Sequence, residues 1–377
     1  MNTFLKKIFY LLLIYFILSR FVTVIVPYHW GNPWYSTKIQ YLMTREKHAL
    51  PNTYFFGSSR VYRQVSPQVF DDSVRAIRTT KVPTLLLNDS KSGDVVSFNL
   101  GAPATFCPQT YYLYEQFLDS ELSEAAQYIF IELLEIRPID EHLMHQERTT
   151  YWQNLSYLNL VFRSFIENAS LERNQLFQYM RHYIVAYIEN LFHLGHFGEQ
   201  LIDRNYYDKV YLGQNRNGFF PLEDELRGTT KQRVRDNFIK RNQLLANNPS
   251  VLNTMALNSI DFYNSPSEQV DRVHLQKVMR LLHMAEVRDI HLVFILSPRS
   301  TTPNLVGLFE AIPQQNRIDL SNAEAYPSLY QLENSFDTGH LNNQGAVIYS
   351  ELFAREFFKI AELNGVHSAS DAGNLSQ

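Results

Sequence analysis

The sequence has very little cysteine, no long basic run and no internal repeat. Cys107 is the single cysteine among 377 residues, which excludes an intrachain disulfide framework and a cysteine-based zinc site. We predict Cys107 to be a plain buried residue. The formal net charge is -4, without clustered Lys and Arg, so nucleic acid is not an expected partner. With 19% charged and 45% hydrophobic residues, the composition excludes a disordered chain and is typical of an ordered globular protein.

One long apolar run lies near the N-terminus, at residues 8–27. Two lysines precede it and Arg20 alone interrupts it. About 20 helical residues span the ~30 Å hydrocarbon core of a bilayer. No small-x-small cleavage site follows, so we predict an uncleaved membrane anchor over residues 1–30 rather than a removed signal peptide. The alternative is a buried core helix.

Three aromatic residues just beyond the run favour the anchor. Trp30, Trp34 and Tyr35 have the composition of an interfacial aromatic belt. Lys38 and other basic residues add positive charge on this side of the run, so charge alone does not decide the orientation. We expect the large C-terminal part to lie outside the cytoplasm.

Beyond residue 50 the chain alternates between strand and helix patterns, which indicates an α/β fold with a parallel sheet covered on both faces. The predicted strands are Thr53–Phe56, 95–100, 128–134, His291–Leu296 and 317–320. Predicted helices begin at Ser66-Pro67 and near Gln109, and a last helix covers about 343–363. The capping-box spacing of Ser265 and Glu268 predicts another helix start.

Residues 139–262 break this alternation. Their period is mostly helical, and they contain no strand pattern of comparable strength. A crossover between parallel strands needs only about a dozen residues, so we predict a helical insertion or cap here. The α/β core then comprises 50–138 and 263–365, followed by a disordered tail at 366–377. The aromatic residues of the insertion either hold a glycan or simply pack together.

Two short segments carry side chains suited to nucleophilic catalysis. Gly57-Ser58-Ser59-Arg60 follows the first strand, and Asp337-Thr338-Gly339-His340 precedes the last helix. A serine becomes a useful nucleophile when it is hydrogen-bonded to a base and lies near oxyanion donors. In parallel sheets, such groups gather where strands end. An Asp three residues before a His can hold the imidazole and leave its other nitrogen to face the serine.

These segments resemble motifs of the SGNH/GDSL hydrolase family. Gly57-Ser58-Ser59 is similar to the family's GDS element, and Asp337-Thr338-Gly339-His340 is similar to its DxxH element. Asn99-Leu100-Gly101 resembles the second block. The blocks occur in the family's order over roughly residues 50–363, the insertion excepted. The phrase DTGHLNNQGA (337–346) is similar to the closing block of envelope-associated members, several of which handle acyl groups on surface polysaccharides and many of which carry an N-terminal membrane helix.

The resemblance implies a flavodoxin-like three-layer SGNH fold and a serine esterase or O-acyltransferase that acts on envelope or extracellular polysaccharide. Ser59 is then the nucleophile, His340 the base and Asp337 the acid. The oxyanion site and its support are assigned to Gly101, Asn99, Ser58 and Arg60. The resemblance further implies an acylated glycan or other ester substrate, contact with the envelope polysaccharide machinery, no metal, no cofactor, and a catalytic domain on the periplasmic side of a bacterial inner membrane.

The third strand departs from the family pattern. It ends with Glu132 and Glu135 where the family places an oxyanion-binding asparagine. An ionised glutamate repels an oxyanion, so either another donor, such as Asn99 or Arg60, replaces the asparagine or the glutamates point elsewhere. Arg60 is either that donor or an ion-pair partner of one glutamate. The missing asparagine also supports an alternative function, an inactive SGNH-like subunit that binds glycans or assists assembly.

Two further groups have competing interpretations. His142 and His145, like His193 and His196, are spaced as metal ligands could be, but scattered surface histidines are favoured because acidic partners at clear helical spacing are missing. Arg299 follows the fourth strand. It is a candidate contact for an anionic substrate, with ordinary surface placement as the favoured alternative.

Overall fold

A computed structural model describes residues 2–25, 32–80, 94–169, 171–191, 210–267 and 270–374. It begins with helix α1 (Asn2–Ile25), whose side chains are described over residues 4–18 and are mostly exposed. Among the described residues, no helix combines the length and hydropathy that a membrane crossing needs. The end of the predicted apolar run and Trp30 lie outside the described residues, so the anchor stays a prediction.

The sheet is parallel throughout, with the strand order β2-β1-β3-β4-β5. The strands are β1 (Thr53–Phe56), β2 (Ser97–Asn99), β3 (Tyr128–Glu132), β4 (His291–Leu296) and β5 (Arg317–Asp319). The predicted bounds of β1 and β4 match, and the other three strands are slightly shorter than predicted. The α/β class with a parallel sheet is therefore confirmed.

Helices flank the strands along the whole chain. After α1 they are α2 (Pro33–Met43), α3 (Ser59–Gln64), α4 (Pro67–Thr80), α5 (Cys107–Leu118), α6 (Glu141–Met144), α7 (Glu147–Thr150), α8 (Leu155–Glu167), α9 (Arg173–Leu191), α10 (Leu222–Gly228), α11 (Gln232–Asn247), α12 (Ser250–Asn264), α13 (Arg272–Glu286), α14 (Pro303–Glu310) and α15 (Asn343–Asn374). Between β3 and β4 the described residues form α6 to α13 with connecting loops and no strand.

The strands are buried on both faces, as apolar parallel strands usually are. Alternate residues of β4 enter different layers: Phe294 packs in one and Ile295 in the other. The first layer also contains Tyr111 of α5, and the second contains Phe70 of α4 and Phe353 of α15. The sheet is therefore covered by helices on each side.

The aromatic residues after the apolar run pack into the globular part. Tyr35 of α2 is fully buried, and its hydroxyl donates to Leu113 O at 3.2 Å. The Trp34 ring packs on Tyr211 with centroids 4.8 Å apart. The expected aromatic belt is wrong for these two rings, because α2 is amphipathic and turns its apolar face to the core.

Two local predictions differ from the structure. Ser265 is the C-cap of α12, and the next helix instead uses Asp271, whose side chain accepts the His274 N–H at 2.8 Å. Glu268 lies outside the described residues. The predicted helix end near residue 363 also differs from the structure, in which α15 continues to Asn374. The disordered tail predicted at 366–377 overlaps this helix over residues 366–374, and residues 375–377 lie outside the described residues.

The strand order defines where a site is expected. β1 lies between β2 and β3, so the connections leave in opposite directions at the carboxyl ends of β1 and β3. Ligands of open parallel sheets bind outside the carboxyl ends at such a switch point. Ser59 follows β1 at this edge, and Glu132 ends β3 there.

Candidate active site

The chain turns from β1 into α3 within two residues, and Ser59 is the first helical residue. Gly57 allows the end of β3 to lie close to this turn, because a Cβ there would lie 2.7 Å from Glu132 Cβ. Ser58 is the N-cap, and its Oγ accepts the Arg60 N–H at 3.3 Å. Ser59 is partly exposed. The serine hydroxyl thus lies at the carboxyl edge of the sheet.

Asp337 and His340 form a compact turn directly before α15. Asp337 Oδ1 accepts the backbone N–H groups of Gly339 at 2.8 Å and His340 at 2.9 Å. The same oxygen lies 3.0 Å from His340 Nδ1. Asp side chains favour this kind of local turn, so contacts within the segment are enough to bring the carboxylate against the imidazole.

Ser59 Oγ lies 2.8 Å from His340 Nε2, although the residues are 281 positions apart. An ionised Asp337 beside Nδ1 requires the ring proton on Nδ1, which leaves the Nε2 lone pair to accept the Ser59 O–H. The structure therefore brings the three predicted residues into one hydrogen-bonded chain, in the order of a nucleophile, a base and an acid.

Burial and charge set the protonation of this chain. Burial raises the pKa of Asp337, but the hydrogen bond and charge of His340, together with Arg241, hold that pKa below its ordinary value. Burial lowers the pKa of His340, Asp337 opposes this, and Arg241 and Arg60 lower it further. At neutral pH the carboxylate is thus ionised and the imidazole neutral, as a general base requires.

Arg241 of α11 is a fourth member of the site, which the sequence did not predict. It forms an ion pair with Asp337 through Nη2 and Oδ2, and the same nitrogen lies 2.9 Å from His340 Nδ1. Several other Lys and Arg residues lie in α11. Because no local signal distinguishes Arg241 from them, only the fold identifies it.

Arg299, directly after β4, is buried behind the Asp337 loop. Its Nη1 donates to Asp337 O at 3.1 Å, its Nη2 to Ser335 Oγ at 2.6 Å and its Nε to Leu329 O at 3.0 Å. Burial lowers the pKa of Arg299 to about 10, so it stays charged at neutral pH. Substrate contact and ordinary surface placement are both wrong: Arg299 organises the loop from inside.

Glu132 occupies the end of β3 without blocking the turn. Its Oε2 accepts the Ser58 N–H at 2.7 Å, and its Oε1 lies 3.6 Å from Arg60 Nη1. Glu135 instead accepts a hydrogen bond from Thr302 and pairs with an exposed arginine. Of the two interpretations of Arg60, its geometry is that of the ion-pair partner.

Asn99 and Gly101 support α3. Asn99 Nδ2 donates to Val61 O at 2.7 Å and to Val65 O at 2.8 Å, and its Oδ1 accepts the Gly101 N–H at 2.9 Å. A Cβ on Gly101 would lie 2.7 Å from Tyr62 N, so glycine allows this loop to approach the helix. The predicted oxyanion donors are thus engaged with other groups, and the Gly101 N–H must leave Asn99 to reach an oxyanion.

Lys38 of α2 contacts the same loop. Its Nζ donates to Gly101 O at 2.6 Å and lies 4.3 Å from the centroid of the Tyr62 ring. Burial, and secondarily the charge of Arg63, lowers the pKa of Lys38 well below its ordinary value. The helix that follows the apolar run is therefore bound to the loop beside the site.

The histidines of the insertion form no metal centre in the part of the chain that is described, where no group of three or more His, Cys, Asp or Glu is arranged to hold an ion. His142 is exposed, and His145 is partly buried, with its Nδ1 2.8 Å from Glu189 and its Nε2 3.4 Å from His182. His193 and His196 lie outside the described residues.

Comparison with known proteins identifies no family: no family model matches the chain, and no curated protein matches it. The SGNH/GDSL resemblance therefore has no support from these comparisons.

Proposed function

We propose that this chain is an SGNH-type serine esterase or O-acyltransferase that acts on acyl groups of cell-envelope or extracellular polysaccharide. The observation that carries the proposal is the 2.8 Å contact between Ser59 Oγ and His340 Nε2, with Asp337 against the other ring nitrogen. A serine held by a neutral imidazole is activated for acyl transfer.

The reaction follows from this geometry. Ser59 Oγ attacks the ester carbonyl while His340 Nε2 takes the hydroxyl proton. The tetrahedral oxyanion then collapses, the ester C–O bond breaks, and His340 returns the proton to the leaving alcohol. In the second half, water or a sugar hydroxyl attacks the acyl-enzyme with His340 again as base. The bond between the acyl carbon and Ser59 Oγ then breaks, and His340 returns the proton to Ser59. Asp337 remains ionised throughout.

The oxyanion needs donors beside Ser59. The Ser59 N–H makes no hydrogen bond within the described part of the chain, so it is available. The Gly101 N–H becomes a second donor when the substrate oxygen displaces Asn99 Oδ1. These two amides are the donors that the resemblance and the loop geometry together support.

The SGNH assignment is supported by topology as well as motifs. The order β2-β1-β3-β4-β5 is that of flavodoxin-like sheets, and the motifs occupy the loops after β1 and β2 and the loop before α15. The polysaccharide substrate and the periplasmic side of a bacterial inner membrane are inferred from the phrase at 337–346 and the apolar run at 8–27.

A specific observation favours a second candidate, an inactive glycan-binding or assembly subunit. The amide of Asn99 and the N–H of Gly101 already have partners, and β3 ends without an asparagine. In this second candidate function, the serine site contributes to binding and does not catalyse turnover.

A fluorophosphonate probe separates the two. Ser59 Oγ attacks phosphorus and fluoride leaves, so labelling reports an activated serine. We expect the full chain to be labelled on Ser59, and Ser59→Ala and His340→Ala to lower the labelling rate at least about 10³-fold. Ser123→Ala, near the opposite end of β3, is the matched serine control and should label normally. Absence of labelling in folded wild-type protein would favour the binding subunit.

A further inference from the structure

Helix α11 packs one face against the loop 336–340. Phe238, Arg241 and Asn242 are three and four positions apart, so they project from the same side of the helix. The Phe238 ring meets Phe336 edge-on with centroids 6.2 Å apart, and Asn242 Nδ2 donates to Phe336 O at 2.9 Å. Arg241 lies between these two contacts and reaches the carboxylate of the loop.

The two oxygens of Asp337 have different partners. Oδ1 is satisfied within its own loop by the N–H groups of Gly339 and His340. Oδ2 takes its ion pair from Arg241 and also lies 3.2 Å from His340 Nδ1. The backbone of the loop therefore fixes Oδ1. The ion pair with Arg241 fixes Oδ2, and with it the rotation of the carboxylate relative to the imidazole.

The approach of Arg241 Nη2 to His340 Nδ1, at 2.9 Å, allows two proton arrangements. If Nδ1 accepted from Arg241, Nε2 would carry the ring proton and could not accept from Ser59. A carboxylate is a stronger acceptor for a guanidinium than a neutral imidazole nitrogen is. Arg241 therefore donates to Asp337, and the Nδ1 proton points to the same carboxylate.

The charge of Arg241 acts on His340 in a largely buried site. The Asp337 side chain is 5% exposed and that of Arg241 is 32% exposed, so water screens the group only in part. A cation this close disfavours a second cation on the ring, and it favours the anion on Asp337. Both effects maintain the ionised acid and the neutral base.

We propose that Arg241 is a positioning residue of the triad, which makes the insertion helix α11 a working part of the site and not only a cover. Arg241 holds Asp337 ionised and rotated towards His340, and its charge keeps His340 neutral. The inference rests on the proposed function, because it assumes that Ser59 is an activated nucleophile.

The test is the pH dependence of the second-order rate constant for fluorophosphonate labelling. Arg241→Gln should lower the plateau rate about tenfold or more, since a misplaced catalytic group is costly. It should also move the midpoint of the acid limb upward by about one pH unit, because the repelling cation is gone. Arg241→Lys retains the charge, so the midpoint should stay near that of the wild type. Its plateau should still fall, because an ammonium does not reproduce the guanidinium fork.

Two variants of α11 serve as controls. Lys240 is exposed and adjacent, so Lys240→Gln makes the same change in net charge and should leave plateau and midpoint unaltered. Asn242→Ala removes a neutral docking contact, so it should lower the plateau without moving the midpoint. Thermal melts establish that each variant is folded.

A wild-type pH profile for Arg241→Gln would overturn the inference. So would equal midpoint shifts in Arg241→Gln, Arg241→Lys and Asn242→Ala, because docking of the helix would then explain the effect. If Arg241→Gln does not fold, a full plateau rate in Arg241→Lys overturns the inference, and a lowered plateau with an unmoved midpoint supports it. Wild-type protein that is not labelled at all overturns the proposed function itself.

Discussion

Glu132 lies where the motif resemblance predicts an asparagine, and its partners explain how a carboxylate is tolerated there. It is fully buried, with Oε2 bonded to the Ser58 N–H and Oε1 3.6 Å from Arg60. Burying a carboxylate is costly unless it is paired and hydrogen-bonded. Here one amide and one guanidinium compensate, and the carboxylate in turn holds the residue before Ser59.

Two substitutions of Glu132 should distinguish the stability that its hydrogen-bond acceptor contributes from the stability that its charge contributes. Glu132→Gln retains an acceptor for the Ser58 N–H and leaves only the partly exposed Arg60 unpaired, so the free energy of unfolding should change by about 1 kcal/mol or less. Glu132→Ala removes the acceptor and opens a cavity, so a loss of about 3 kcal/mol is expected. Urea denaturation measures both. Equal losses would mean that the charge, not the acceptor, stabilises the turn.

Single residues were predictable where a short motif surrounds them. Ser59, Asp337 and His340 each lie in such a motif, and the Asp337 turn forms within its own segment. Arg241 has no motif, because its role comes from a contact 96 positions away. Arg299 was misjudged for the same reason, since the loop that buries it is distant in sequence.

Among the elements, α3 carries Ser59, the proposed nucleophile, and residues outside the helix hold it in place. It has six residues, too few for a stable isolated helix. Asn99 donates to the carbonyl of Val65 at the far end of the helix, a group that a helix terminus leaves without an intrahelical partner. It also donates to the carbonyl of Val61, which accepts the Val65 N–H as well. The end of β2 therefore positions the helix that begins at Ser59.

Asn99→Asp tests this support. The substitution replaces two donated hydrogen bonds with a carboxylate facing two carbonyl oxygens, so the free energy of unfolding should fall by about 2–3 kcal/mol. The fluorophosphonate labelling rate should fall at least about tenfold, because α3 carries Ser59. Denaturation and labelling of the same samples provide both values.

Asn316→Asp is the matched control for Asn99→Asp. Asn316 Nδ2 also donates to a main-chain carbonyl, that of Leu292, at 2.9 Å. It lies directly before β5, away from α3. We expect this variant to lose stability but to label at the wild-type rate. If Asn99→Asp labels as fast as wild type, the position of Ser59 does not depend on Asn99.

At the scale of the whole molecule, the packing between α5 and α13 buries His274, which affects the stability of the fold at acid pH. His274 Nε2 lies 2.6 Å from Tyr111 OH and 3.5 Å from Cys107 Sγ, and all three residues are buried. Burial lowers the pKa of His274 from 6.5 to about 4, although Asp271 opposes the shift. The predicted burial of Cys107 is confirmed.

The sign of the pH effect follows from proton binding. Between pH values of about 6.5 and 4, the unfolded histidine binds a proton that folded His274 does not, so its contribution to stability is lost as the pH falls through this window. Asp71 acts in the opposite direction, because burial raises its pKa from 3.8 to about 6 and the folded carboxyl binds a proton first. The pH ranges in which His274 and Asp71 change the stability overlap, so a variant is needed to measure the contribution of His274 alone.

His274→Gln provides that comparison. The unfolding free energy of the wild type minus that of the variant should decrease by roughly 2 kcal/mol between pH 7.5 and pH 4.5, with Asp71 cancelling in the difference. Urea titrations at several pH values measure it. A difference that stays constant with pH would mean that folded His274 titrates like an unfolded histidine.

Much of the fold follows from short-range pattern. β1 and β4 are apolar runs that end sharply, so their bounds could be read directly. The six residues of α3 are too few to show a helical period, and this helix was missed. The start of α13 was misplaced because the Ser265 signal is local, whereas Asp271 is the cap that the packed chain uses.

Local chemistry accounts for the strands, the strand–turn–serine segment and the Asp337–His340 turn, because hydrogen bonds and side-chain periods within a few residues define them. The packed fold accounts for the rest: the meeting of Ser59 with His340, the ion pair of Arg241, and the hydrogen bonds from Asn99 to Val61 and Val65. These contacts join segments tens to hundreds of positions apart. Their geometry depends on how the layers stack, which no local pattern encodes.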